Sequence, residues 1–394
     1  MTASQTTILL QGARIVLPDR VTDPADLLIE DTVITSLAET MPHKITTSIR
    51  SIDVNGSFVF PGFIDVHIHG ATGVDTNNAD MDGLRQVSRF LAQHGVTGWI
   101  PTVVPAPDEE YNCAAAAIEQ LMAQQVEEKT GAHTLGIHYE GPFVNRSQCG
   151  ALHAGHFRIF RQSADINVLR TIQNPNAVHF VTVAPEIDGG VDLIKELTTR
   201  GWIVSLGHTR ADVSVLDKAY DAGAHHMTHF MNAMPPLHHR NPGPIAWGLM
   251  RPDVSVDIIA DGIHLDPYTL RFLIKCKSPS QLCLISDSVA PTGLGDGSYQ
   301  LWGETIKVSN ARTSNDRGSI AGSVITISDA VKLLLSLGVN AADVALMSAS
   351  NPARLLGLDD RGSIEIGKRA DLVVTDHQGE VQLTIIAGRI VFER

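Results

Sequence analysis

Two imidazoles one residue apart, His67 and His69 in the run PGFIDVHIHG, open a series of chemically able side chains. The series continues through His138-Tyr139-Glu140, His208, His229, Asp261, His264 and Asp287. In an extended chain the side chains alternate, so His67 and His69 project together while Ile64, Val66 and Ile68 share the other face. A single H-x-H is more often a pair of satisfied core histidines than a metal site. Histidines with a glutamate and an aspartate on one rim change that balance. Imidazole with carboxylate suits Zn2+, Fe2+, Mn2+ or Co2+ better than Mg2+ or Ca2+. A cation so held lowers the pKa of water from 15.7 to about 7 and polarises a carbonyl. Asp287, the last carboxylate of the series, is placed to take that water's proton and pass it to a leaving amine. Such a set spells hydrolysis of an amide-like bond.

These residues need elements that bring them to one rim. Eight apolar, β-branched runs supply candidate strands: FIDVHIH, GVTGWIPTVV, HTLGIHYE, AVHFVTVAPE, GWIVSLGH, AHHMTHF, VSVDIIADG and QLCLISDS. Between most of them lies a helix candidate, for example MDGLRQVSRFLAQHG, DEEYNCAAAAIEQLMAQQVEEK and VDLIKELTTRG. Alternation of this kind predicts an α/β fold with a parallel sheet, and eight units predict a (β/α)8 TIM-like barrel over residues 61–358. In such a barrel functional groups sit at the C-terminal strand ends. His67 and His69 then end the first strand, Glu140 the third, His208 the fifth, His229 the sixth and Asp287 the eighth, with Asp261 and His264 following the seventh. Residues 1–60 and 359–394 read instead as short strands, among them TILLQGARIVL, DLLIEDTVITSLA, GSIEIGKRADLVVTD and QLTIIAGRIVFE. Neither end has enough strands for a stable sheet alone. The two are expected to pair into one small β-sandwich.

Composition narrows the class. The chain has 394 residues, 43% of them hydrophobic, which supports a sizeable core, and its net charge of -13 argues against a nucleic-acid or anionic-membrane partner. The N-terminal MTASQTTILLQGARIV lacks the basic start and long apolar core of a signal peptide, and no apolar run approaches a membrane span. Cys113, Cys149, Cys276 and Cys283 form no C-x-x-C and no disulfide-like framework. A reducing cytoplasm is the expected setting.

The sequence resembles the amidohydrolase superfamily, and within it the N-acetylglucosamine-6-phosphate deacetylases. The resemblance is carried in order by PGFIDVHIHG, GIHYEGPF, VSLGHT, THFMNAMPPLHHRNPG, IIADGIHL and LISDSVAPTG, and covers nearly the whole chain. It implies removal of acetate from N-acetylglucosamine 6-phosphate, one or two divalent metals per chain (Zn2+ or Fe2+ first, Mn2+ or Co2+ next) and a homodimer. Position by position, it implies Glu140, His208 and His229 as main metal ligands, with His67 and His69 for a second metal and Asp287 as a further metal ligand. Asp287 matches the family's catalytic aspartate, and His264 the residue that binds substrate and helps polarise the acetyl carbonyl. Asn232, the backbone of Ala233 and Arg240 match sugar and phosphate contacts, the arginine's counterpart reaching a neighbouring subunit's site. After EGPF the family carries Gly-Ala or Gly-Thr and then His. Here Leu152 stands in that place and His153 one later, so Ala151 and His153, or His156, are the candidates for the contact. The segment GSIAGS, with Ile320, Ala321 and Gly322, matches a substrate-side loop. Many binuclear relatives bridge their metals with a carboxylated lysine after the fourth strand. This chain has VTVAPE there, which leaves Glu140 as the candidate shared ligand.

Two other readings stay in view. One keeps the metal chemistry on another N-acyl substrate, such as a different acetamido sugar or an N-acyl amino acid. The other is a silent relative kept as an assembly protein, which retention of every candidate ligand disfavours.

Overall fold

The computed structural model describes residues 7–41, 49–125 and 130–394. Positions 1–6 and the last four residues of the second helix candidate, 126–129, lie outside the described residues. All eight runs singled out above form barrel strands: β1 (Phe63–Ile68), β2 (Val96–Val103), β3 (Gly136–Glu140), β4 (Val178–Val183), β5 (Ile203–Leu206), β6 (His226–Met227), β7 (Ser255–Ile259) and β8 (Leu282–Ile285). Each pairs in parallel with the next. The barrel closes just beyond the ends of β1 and β8, where the N–H of Asp287 donates to the His67 carbonyl at 2.9 Å and the N–H of His69 to the Ser288 carbonyl at 2.8 Å.

Helices follow the strands because the sequence caps them. Asp80 accepts from the Gly83 N–H ahead of Met81–Gln93, Asp212 from Val215 ahead of Val213–Asp221, and Asp266 from Tyr268 ahead of Pro267–Cys276. Each cap satisfies an amide that has no partner in the first turn. After β3 there is no α-helix. Three short 3-10 turns between Arg146 and Val168 take its place, so the loop over the barrel mouth is long and irregular. The sequence pattern assigns no element to 297–314. There the chain forms a three-stranded antiparallel sheet (Gly297–Leu301, Glu304–Ser309, Arg312–Ser314), inserted before the helix Ile327–Ser336. Its outer strands are Gly297–Leu301, which is mostly exposed, and the three-residue Arg312–Ser314, so they carry little apolar signal.

Both chain ends build one β-domain. Thr7–Ile15 pairs with Ala25–Glu30 and Ile49–Asp53 through its first half, and with Phe58–Pro61 through Arg14 and Ile15. The switch falls at a bulge between Leu10 and Ala13, where Gly12 takes φ 70°, a conformation open to glycine at little cost. Phe58–Pro61 then pairs with Leu372–Thr375 near the C-terminus. Leu10, Ile15, Leu27, Val59, Leu372 and Leu383 pack into one core. The run GSIEIGKRADLVVTD is strand only over Leu372–Thr375; the residues before it turn. Among the described residues no helix is long and apolar enough to cross a membrane.

Candidate metal centre and substrate cleft

Glu140, the last residue of β3, joins two groups of possible ligands. Its Oε1 lies 2.9 Å from His208 Nε2 and 3.0 Å from His229 Nε2, while its Oε2 stands 3.3 Å from His69 Nε2. The sets His67–His69–Glu140 and Glu140–His208–His229 therefore share one carboxylate, and every member is buried. Asp287 completes the rim, its Oδ1 lying 3.2 Å from His69 Nε2 and 3.5 Å from His67 Nε2.

The backbone at three of these positions is strained. His208, His229 and Asp287 have φ of 48°, 30° and 50°. Left-handed backbone costs a non-glycine residue about 1–3 kcal/mol and persists only where the surroundings over-determine it. Around Asp287 they do: its N–H is held by His67, and its carbonyl accepts from the Ser323 N–H at 2.7 Å. Gly322 makes room for this turn, since a Cβ there would stand 2.7 Å from the Asp287 carbonyl oxygen and 2.5 Å from Val289 Cγ1.

Hydrogen bonds behind the rim orient its rings. His208 Nδ1 donates to the Gln148 carbonyl at 2.7 Å, which leaves Nε2 as a lone pair facing Glu140. His264 Nδ1 meets Asp261 Oδ2 at 2.7 Å, and Asp261 Oδ1 accepts from the Ile263 and His264 N–H groups, both at 2.8 Å. Below them His138 sits between the Thr102 and Thr182 hydroxyls, with its ring perpendicular to His67 at 4.7 Å.

Electrostatics fit a cation. Burial opposes ionisation of Glu140, yet the surrounding imidazoles, His67 foremost, hold its carboxyl well below the usual carboxylate range. Burial holds His67 well below the usual imidazole value. Burial also opposes protonation of His69, but hydrogen bonds that the ring donates to Asp287 and Glu140 outweigh it and raise the ring to about 10. Two carboxylates in a dry rim thus demand positive charge, from a proton or from a metal. The Nε2 atoms of His208 and His229 lie 3.1 Å apart, as do those of His67 and His69. Two ligand atoms on a tetrahedral zinc at bond lengths of 2.0–2.1 Å stand about 3.3 Å apart. The donor set and its spacing therefore suit a first-row divalent ion.

A cleft of about 300 Å³ opens over this rim, and Ala151, Asn232, Ala233, His264, Ile320 and Gly322 are among its walls. Ala321 is fully buried, with its N–H donating to Thr313 Oγ1 at 3.1 Å, so only its neighbours reach the cleft. His153 and His156 line an adjoining cleft instead, and Leu152 faces both. Arg240 is exposed on the loop after β6, beside His239, and does not line its own chain's cleft. Trp302, absent from the sequence reading, lines the cleft and stands edge-on to His69 at 5.2 Å. Its one signal was a tryptophan followed by glycine between two short alternating runs.

The chain is 36% identical over 340 residues to the N-acetylglucosamine-6-phosphate deacetylase of Bacillus subtilis, covering 85% of each chain. It is 32% identical over 386 residues to the N-acetylgalactosamine-6-phosphate deacetylase of Escherichia coli O157:H7, covering 98% of this chain and 99% of the other. The crystal structure of N-acetylglucosamine-6-phosphate deacetylase from Thermotoga maritima superimposes with a TM-score of 0.86 at 31% identity, over 98% of this chain and all of that one. The amidohydrolase family model matches residues 58–391, the whole barrel and most of the C-terminal strands, and on that extent the chain belongs to the amidohydrolase family.

Proposed function

We propose that the chain removes the acetyl group of N-acetylglucosamine 6-phosphate by hydrolysis, leaving glucosamine 6-phosphate and acetate. The observation that carries the reading is the rim itself. Glu140 is shared by two imidazole pairs with Asp287 beside them, in a chain 36% identical to a deacetylase of that sugar phosphate.

Glu140, His208 and His229 would hold one divalent ion, and His67 and His69 with Glu140 a second; Zn2+ or Fe2+ suits them best, with Mn2+ or Co2+ next. Such an ion, when bound, lowers the pKa of water to about 7 and draws charge from a carbonyl. Asp287 takes a proton from the attacking water as general base and returns it to the sugar nitrogen as general acid. His264, its ring fixed through Nδ1 by Asp261, presents Nε2 to the acetyl oxygen. Asn232 and the Ala233 N–H hold the sugar phosphate, with the Ala151 backbone and the Ile320–Gly322 turn closing around it. Arg240 stands outside its own cleft, and we assign it to the phosphate in the cleft of a second copy, as part of a homodimer. A guanidinium fork suits a phosphate on a chain of net charge -13.

The test compares turnover of N-acetylglucosamine 6-phosphate with that of the unphosphorylated sugar, and gel filtration reports the dimer. Similar rates on both sugars remove the phosphate role of Arg240. The second reading, a preference for another acetamido sugar, is favoured by the likeness to the galactosamine relative. Running N-acetylgalactosamine 6-phosphate alongside decides it.

A further inference from the structure

We propose that Trp302, together with Leu152, forms the wall that sets the size of the acyl group the site accepts, an inference that rests on the deacetylase reading above. The indole lies edge-on to His69, with ring centroids 5.2 Å apart, and so covers the part of the rim that β1 contributes. The groups assigned to the sugar phosphate and acetyl oxygen, Asn232, Ala233 and His264, follow β6 and β7, whereas Leu152 comes from the loop after β3, four strands from β7 around the ring, and Trp302 stands over β1. An amide held at the rim directs its amine half to one side of the reacting carbon and its acyl half to the other. With the sugar on the β6–β7 side, the acyl group points towards Trp302.

Behind this wall there is space. The main cleft, about 300 Å³, and a second one of about 320 Å³ share Leu152 and Trp302 as lining residues. Leu152 packs with Val104, Val144 and Ala184, and Trp302 packs against the same cluster, so the partition is solid. Trp302 is carried by the tip of the hairpin between Gly297–Leu301 and Glu304–Ser309. Trp302 and Gly303 have φ of 52° and 76°, a two-residue turn with both central residues left-handed. The wall therefore draws Trp302 from an inserted sheet and Leu152 from the loop after β3, and neither from the strands that position the rim.

Chain length on the acyl group alters no step of the hydrolysis. The water oxygen joins the acyl carbon, the C–N bond breaks and the nitrogen takes the proton, whichever acyl group is present. Selection among acyl groups then falls to the space that Trp302 and Leu152 restrict.

The metal-loaded protein is assayed on the N-acetyl, N-propionyl and N-butyryl forms of glucosamine 6-phosphate, wild type beside Trp302→Ala, Trp302→Phe and Leu152→Ala. A methylene that an apolar wall rejects lowers kcat/KM by about tenfold or more, and that drop is expected at each step in the wild type. Trp302→Ala and Leu152→Ala are expected to narrow the acetyl-to-butyryl ratio by about tenfold, with Trp302→Phe in between. The ratio is read within each variant, so a general loss of activity does not imitate this result, and Leu152→Ala and Trp302→Phe carry the test if Trp302→Ala folds poorly. A ratio within about twofold of wild type in the alanine variants, with the acetyl substrate still turned over, overturns the wall alone. A wild-type protein inactive on the acetyl substrate overturns the deacetylase reading and the wall with it.

Discussion

His69 Nε2 lies 3.2 Å from Asp287 Oδ1, across the seam where the end of the last barrel strand is hydrogen-bonded to the end of the first. Barrel closure and site assembly are thus one event. The bond from the Asp287 N–H to the His67 carbonyl completes the ring of strands and sets the candidate base beside both histidines of the H-x-H.

Asp287→Asn keeps the shape of the side chain and removes its capacity to accept a proton. It should retain metal by elemental analysis while kcat falls by at least about 100-fold, the usual weight of a positioned acid–base group. Near-normal turnover would take Asp287 out of the mechanism.

Replacing His67 and His69 together by alanine should lower metal content by about one ion per chain, since imidazoles are primary ligands of such ions. Elemental analysis of purified protein reads this directly. Unchanged stoichiometry would leave the pair as supports or substrate-facing residues beside a one-metal site.

Asp261→Asn tests whether His264 acts through the orientation that Asp261 imposes. The two backbone amides keep the asparagine oxygen, so its NH2 faces Nδ1 and reverses the ring's tautomer, and kcat should fall by about tenfold or more. Burial opposes ionisation of Asp261, but His264 and two backbone amides outweigh it and hold the carboxyl below its usual range. A depressed carboxylate contributes stability that is present above about pH 4 and is lost as pH falls through the lower folded value. The asparagine variant should therefore show a shallower acid loss of stability in urea titrations between about pH 5 and pH 3. Parallel curves for the two proteins would refute it.

Gly322→Ala puts a Cβ against the Asp287 carbonyl at 2.7 Å, in a residue with φ 60°. Left-handed backbone alone costs alanine about 1–2 kcal/mol, and the contact adds to it. A stability loss of about 2 kcal/mol or more is expected, with lower kcat as Asp287 shifts. Equal midpoints and slopes in urea would show that the turn yields freely.

Much of this was legible in one dimension. The runs from FIDVHIH to QLCLISDS read as strands because a parallel sheet covered on both faces needs continuous β-branched apolar stretches. Parity within the first of them put His67 and His69 on one side. The segment 297–314 was not legible, because Gly297–Leu301 is largely exposed, the buried pair Ile306 and Val308 makes too short an alternation, and its turn carries no more than a Trp-Gly pair. Arg240 was legible as a cation near the site, yet loop residues have no period from which a direction follows.

The sequence by itself determined the barrel's strand count, the side-chain types at each strand end and hence the chemistry a rim of them supports, since local alternation and composition encode those. Only the tertiary structure decided that Glu140 is shared, because its partners His208 and His229 lie 68 and 89 residues away along the chain and meet it only when the barrel curves shut. It also decided that Trp302 faces His69 and that Leu152 lines both clefts while His153 lines the adjoining one alone. Those are matters of how loops cross the mouth of the barrel, and such crossings depend on packing between distant segments, which no local pattern records.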